Sequence, residues 1–112
     1  MATKSVLIIY TGGTIGMVND PETGALCPFN FEQIAKAVPE IKEFEFDIDS
    51  YTLPEIIDSS DIQPKVWAEL CNIILEKYDK YCGFVILHGT DTMAYSASAL
   101  SFMLGNLTKP IV

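Results

Sequence analysis

Basic residues are scarce in this 112-residue sequence: seven Lys and Arg stand against fifteen Asp and Glu, a formal net charge of −8. Spread thinly, they form no stripe able to neutralise phosphates, which argues against nucleic acid as a direct partner. Long apolar runs are absent too. None approaches the roughly eighteen residues of a membrane span, so no membrane partner is expected. Met1-Ala2-Thr3-Lys4 leads straight into a short apolar-rich run without a small-residue cleavage site, so no secretory signal is read and a cytoplasmic protein is expected. Cysteine is sparse and odd in number: Cys27, Cys71 and Cys82 show no C-x-x-C spacing, which speaks against a disulfide framework or zinc site and for ordinary reduced thiols. The sequon Asn106-Leu107-Thr108 carries no weight without secretion.

What is present is apolar and ordered in blocks. Hydrophobic residues make up 49% of the chain, enough for one domain that buries about two-thirds of its surface. Ser5–Tyr10 is a continuous apolar run rich in β-branched residues, which predicts a strand buried on both faces and hence a parallel sheet. Between residues 11 and 30, Gly12, Gly13, Gly16, Gly24, Pro21 and Pro28 exclude a regular helix and favour a loop or hairpin. Asn30 then caps a short helix with Phe31, Ile34 and Val38 on one face, ended by Pro39.

Alternation from Phe44 to Leu53 predicts a half-exposed strand whose acidic face is solvated. Pro64 opens a helix to about Tyr78, with Trp67, Leu70, Cys71, Ile74 and Leu75 as its apolar stripe. Gly83–Leu87 is a second fully buried strand. Ala94–Leu104 is a strongly apolar helix with Asp91 or Thr92 as N-cap and Gly105 as its stop, and residues 109–112 open another strand. This order predicts the N-terminal part of a doubly wound, mostly parallel α/β sheet with flanking helices, a single incomplete domain over residues 1–112.

In open parallel sheets, ligands bind outside the carboxyl ends of the strands. Three places qualify: Thr11 to Thr14, Asp58 to Ser60, and His88 to Asp91. Thr11-Gly12-Gly13-Thr14-Ile15-Gly16 departs from the dinucleotide fingerprint at its first glycine and has no good helix start behind it, and no lysine makes it a Walker loop. Gly12 and Gly13 instead let the backbone turn sharply, with Thr14 presenting a hydroxyl beside N–H groups able to stabilise an oxyanion. That suits acyl transfer, although a hydroxyl needs a neighbouring base, and a threonine after two glycines also occurs as plain turn chemistry. Thr90-Asp91 offers a second hydroxyl and a carboxylate at a helix start, where Asp91 or Thr92 could equally be an ordinary cap. His88, the only histidine, could serve either structure or a Ser-His-Asp relay.

Tyr10-Thr11-Gly12-Gly13-Thr14-Ile15-Gly16-Met17 and the stretch from Gly83 to Tyr95, containing His88-Gly89-Thr90-Asp91-Thr92, resemble the two hallmark segments of bacterial L-asparaginases. Gly16-Met17 and the run from Ala94 to Leu100 resemble the cytoplasmic type I enzymes. The resemblance covers essentially this whole chain but only about a third of the family's length, so a fragment is expected, without the family's smaller C-terminal α/β domain.

The resemblance implies an amidohydrolase that converts L-asparagine to L-aspartate and ammonia. Thr14 would be the nucleophile, forming a β-aspartyl ester, and Thr90 the second catalytic threonine. Asp91 would bind the substrate's α-amino group, and Asp58, Ser59 and Ser60 would hold its α-amino and α-carboxylate ends. It implies no metal or organic cofactor, and a homodimer or homotetramer. The sequence departs from the family where Ala25 follows Gly24 in place of a common loop tyrosine, and the family's catalytic lysine lies beyond residue 112. Two other readings accompany this one: an inactive fragment retaining part of the amino-acid pocket, and the asparaginase-like component of transamidation complexes, which normally carries an additional N-terminal domain.

Overall fold

The structure is a computed structural model and describes residues 4–12, 17–28, 39–55 and 58–112. The helix expected after Asn30 lies outside them. Strand β1, Ser5–Tyr10, is flanked by two parallel neighbours, β4 (Asp47–Thr52) and β5 (Gly83–Leu87), in the order β4-β1-β5. Beyond β5, the last residues add a further parallel partner: Phe84 N–H donates to Pro110 O at 3.0 Å, Val112 N–H to Phe84 O at 2.9 Å and Ile86 N–H to Val112 O at 2.8 Å. From β1 the chain moves outward one way to β4, then back past β1 to β5 and outward the other way. That reversal is the doubly wound α/β pattern expected, and it sets a topological switch point between β1 and β5.

Helix α1 (Pro64–Lys77) connects β4 to β5, and α2 (Met93–Met103) follows β5. Both pack on one face of the sheet. Leu7 and Ile9 stand in register with Phe84 and Ile86, and the core closes over them with Val66, Leu70, Cys71, Ile73 and Ile74 from α1 and Leu100 and Leu104 around α2. Each fully buried aliphatic side chain, such as Leu70 or Ile74, contributes about 1.5–3 kcal/mol relative to exposure.

Three expectations need correction. The strands are not buried equally on both faces: opposite α1 and α2, Val6, Ile8, Val85 and Leu87 are half-buried, although Tyr10 on that face is buried. Within α1, Leu75 is 59% exposed while Val66 and Ile73 are buried, so the inward stripe is 66, 70, 71, 73 and 74. Strand β4 begins at Asp47 rather than Phe44, because its pairing starts where Asp47 N–H donates to Lys4 O at 2.9 Å and Asp47 faces Ser5; upstream, Pro39–Glu43 forms a 3-10 turn. Helix α2 ends at Met103 with Gly105 just beyond its cap Leu104, as expected, and the left-handed residue that follows is Asn106 (φ 56°).

The acidic strand sits at the outer side of the described sheet, as expected. Its Asp49 accepts a 2.7 Å hydrogen bond from Tyr81, whose phenol is pushed up to about 12 by burial and by this carboxylate. Residues 17–28 form the hairpin that the glycines and prolines favoured, β2 (Met17–Asn19) antiparallel to β3 (Leu26–Pro28).

Candidate active site

The carboxyl ends of β1 and β5 lie side by side at the switch point. Thr11 joins them: its N–H and its hydroxyl both donate to Leu87 O, at 3.2 and 2.8 Å, and its side chain is buried. Gly12 follows with φ 131°, a conformation that L side chains rarely adopt, so the chain turns there because this position carries no Cβ. Thr14, the expected nucleophile, lies outside the described residues, as do Gly13, Ile15 and Gly16. The hairpin beyond is closed by its own turn. Asp20 Oδ1 accepts from Glu22 N–H (2.7 Å) and Thr23 N–H (3.3 Å), bonds that hold its carboxyl below the usual range. Ala25, where the resemblance implied a loop tyrosine, is exposed, and its carbonyl accepts from Asp20 N–H.

At the end of β5, His88 is buried, and Gly89, Thr90 and Asp91 form the turn into α2. Thr90 and Asp91 are exposed, and neither side chain has a hydrogen-bond partner among the described residues. Asp91 is not the helix cap. Thr92 occupies that position, and its hydroxyl makes no cap bond; it donates instead to Ser59 O at 2.6 Å. The carboxylate of Asp91 is therefore left unused by the helix.

The bond from Thr92 brings in the third expected place. Asp58 caps the short 3-10 turn Ser59–Asp61, its Oδ1 accepting from Ser60 N–H and from the Ser60 hydroxyl, each at 3.0 Å. Those two bonds stabilise the carboxylate, so the Asp58 pKa lies below its ordinary value. Ser59 is buried against the Gly89 backbone: a Cβ on Gly89 would stand 2.5 Å from Ser59 Oγ and 2.8 Å from Ser59 Cβ. Glycine at 89 is what allows the turn 58–61 to dock beside Thr90 and Asp91. Five of the six residues singled out, Asp58, Ser59, Ser60, Thr90 and Asp91, thus gather at the β5 end.

His88 has no part in a Ser-His-Asp relay with Asp91. Its Nδ1 lies 2.6 Å from Gly89 O and its Nε2 2.8 Å from Ser96 Oγ, so both ring nitrogens are occupied. Ser96 Oγ also accepts from Trp67 Nε1–H at 2.7 Å, and Ser96 is only 3% exposed, which keeps it from acting as a nucleophile.

The roles of Thr11, Thr92, Ser96 and Trp67 were not read from the sequence. One signal was available: Ser96, Leu100 and Leu104 recur at helical spacing, placing a polar residue on the buried stripe of α2.

Comparison with known proteins agrees with this fold. A family model described as Asparaginase, N-terminal, matches residues 5–112. L-asparaginase 1 of Escherichia coli is 46% identical over 115 residues, covering 100% of this chain and 33% of that protein. A glutamyl-tRNA(Gln) amidotransferase subunit of Pyrococcus furiosus is 49% identical over 110 residues, covering 96% of this chain and 25% of that protein. Among solved structures, L-asparaginase I of Vibrio cholerae superposes with a TM-score of 0.80 at 45% identity, over 96% of this chain and 32% of the other. The chain thus spans about a third or less of the length of these relatives. With its fold, its two threonine segments and its matched length all in agreement, this chain belongs to the asparaginase family, whose N-terminal part it represents.

Proposed function

We propose that the protein containing this chain is a cytoplasmic L-asparaginase acting through a threonine nucleophile. The observation that carries the reading is the docking of Ser59 on Gly89 and Thr92, which sets the turn 58–61 beside the exposed Thr90 and Asp91. One α-amino acid can then be held at both charged ends by neighbouring groups: its ammonium by Asp91 and Asp58, its carboxylate by Ser59 and Ser60.

The side-chain amide would point to the β1 end. There Thr14 Oγ attacks the amide carbon, the hydroxyl proton passes to the leaving nitrogen, and ammonia departs from a β-aspartyl ester. Water cleaves the ester, Thr14 regains its proton and L-aspartate leaves. Thr90 helps to activate the attack or the water, and backbone N–H groups of the Gly12-Gly13 turn stabilise the oxyanion. The reaction as written uses no cofactor.

By the family resemblance, a lysine beyond residue 112 supplies Thr90's base, so the 112-residue chain alone is proposed to keep part of the pocket without turnover. By the same resemblance, the full-length protein is proposed to be a homodimer or homotetramer. The test is ammonia release from L-asparagine by the full-length protein, with L-glutamine as comparison. Release from asparagine is expected; none from either amide would sink the reading.

The 49% identity to an amidotransferase component favours a second reading, a role in amidating glutamyl-tRNA(Gln). Amide transfer to that tRNA by the full-length protein with its partner, and little free ammonia, would select it.

A further inference from the structure

Behind the β5 end runs a buried chain of hydrogen bonds whose direction follows for a neutral His88 ring. The carbonyl of Gly89 can only accept, so His88 Nδ1, 2.6 Å away, carries a proton. In the neutral ring that carries this proton, Nε2 accepts, so the Ser96 hydroxyl, 2.8 Å away, donates to it. Trp67 Nε1–H, which can only donate, gives its proton to a Ser96 lone pair at 2.7 Å. The bonds run one way, Trp67 to Ser96 to His88 to Gly89, and every donor has one acceptor. Trp67 comes from α1, Ser96 from α2 and His88 from the end of β5, so the relay ties together three elements that only the fold brings into contact.

Its end point is the peptide unit between Gly89 and Thr90. That unit is planar, so a fixed Gly89 carbonyl fixes the Thr90 N–H and the direction in which Thr90 leaves the strand. Gly89 is also the surface on which Ser59 rests.

We propose that Trp67 and Ser96 are positioning residues: through the Nδ1–H tautomer of His88 they clamp the Gly89–Thr90 peptide and so aim Thr90. The proposal rests on the asparaginase reading above. Neither residue touches substrate, so the effect falls on kcat, where sub-ångström placement of reacting groups matters.

The test uses the full-length protein. Ser96→Ala cuts the relay, and His88→Gln keeps an amide near Nε2 but gives up the Gly89 carbonyl. Both are expected to lower kcat about three- to tenfold with KM within about twofold, as loss of one hydrogen bond's worth of placement would. His88→Asn keeps an amide donor near Nδ1 and should exceed His88→Gln in kcat. Parental kcat in Ser96→Ala, or equal losses in the Asn and Gln variants, would overturn the proposal. If Ser96→Ala does not fold, Trp67→Phe removes only the first donor: lower kcat at constant KM supports the relay, and unchanged kcat overturns it. Two-bond proton–nitrogen spectra of His88, assigned by loss of the signals in His88→Asn, should show the Nδ1–H tautomer in the parent and a mixture in Ser96→Ala. The Nε2–H tautomer in the parent would refute the relay. This readout is independent of turnover, so a parent without asparaginase activity ends the functional reading while the spectra still decide the relay.

Discussion

The segment after β5 and the segment after β1 are held by different kinds of contact. Residues 88–92 are held by other elements of the fold: Ser59 packs on Gly89 and accepts from Thr92, and His88 bonds to Ser96, which Trp67 holds in turn. After β1, Thr11 is tied to Leu87, but in the hairpin 17–28 the hydrogen bonds among described residues close within the hairpin, chiefly on Asp20. The groups proposed to hold the amino acid are therefore built into the tertiary structure before any ligand arrives. The stretch that follows the proposed nucleophile draws on local turn chemistry. A division of this kind suits covalent catalysis, in which the substrate's charged ends stay put while one hydroxyl forms and breaks a bond.

The comparison can be broken most severely at Gly89. Gly89→Ala forces Cβ into Ser59, so the turn 58–61 or the peptide at 89 must shift; a stability loss of about 1–3 kcal/mol is expected by denaturant titration, together with a KM rise of about tenfold or more. Parental KM in that variant would mean that the docked turn does not hold substrate. Thr92→Val keeps the shape and removes the 2.6 Å bond to Ser59 O, which should cost about 1 kcal/mol and raise KM severalfold while kcat changes little.

On the other side, Asp20→Ala removes the turn bonds of the hairpin and should leave KM for asparagine near parental while lowering kcat. A rise in KM alone would place the hairpin with the substrate-holding half and erase the contrast.

The smallest expected effect is electrostatic. Hydrogen bonds from Ser60 depress the Asp58 pKa, so the stability it contributes is present above the unfolded value of about 3.9 and is lost as pH falls through the lower folded value. Ser60→Ala removes the hydroxyl's share and raises that pKa. The acid limb of a KM-versus-pH profile should then move to higher pH.

The strands β1 and β5 and the helix α1 were legible to within about a residue, because continuous apolar runs and helical spacing are local signals. The phase of α1 was not: Val66 and Ile73 face the sheet and Leu75 does not, a rotation decided by the packed sheet face rather than by the run itself. The start of β4 at Asp47 was likewise set by its partner Ser5.

In the site, Asp58, Ser59, Ser60, Thr90 and Asp91 could be picked out because strand ends are where ligands bind, and the structure brings them together. What holds them there was hidden, since the bonds from Thr92 to Ser59 and from Trp67 to Ser96 cross 33 and 29 residues. A threonine before a helix reads as a cap, and only the docked turn shows its hydroxyl used elsewhere.

The most direct test of whether the two strand ends serve one reaction is a double-mutant cycle on asparagine hydrolysis by the full-length protein, with Thr14→Ala, Thr90→Ala and both together. Groups acting on the same amide are strongly non-additive, so each single variant should lose several orders of magnitude and the double variant should be no slower than the worse single one. Losses that simply multiply, or a single variant with parental turnover, would contradict the account.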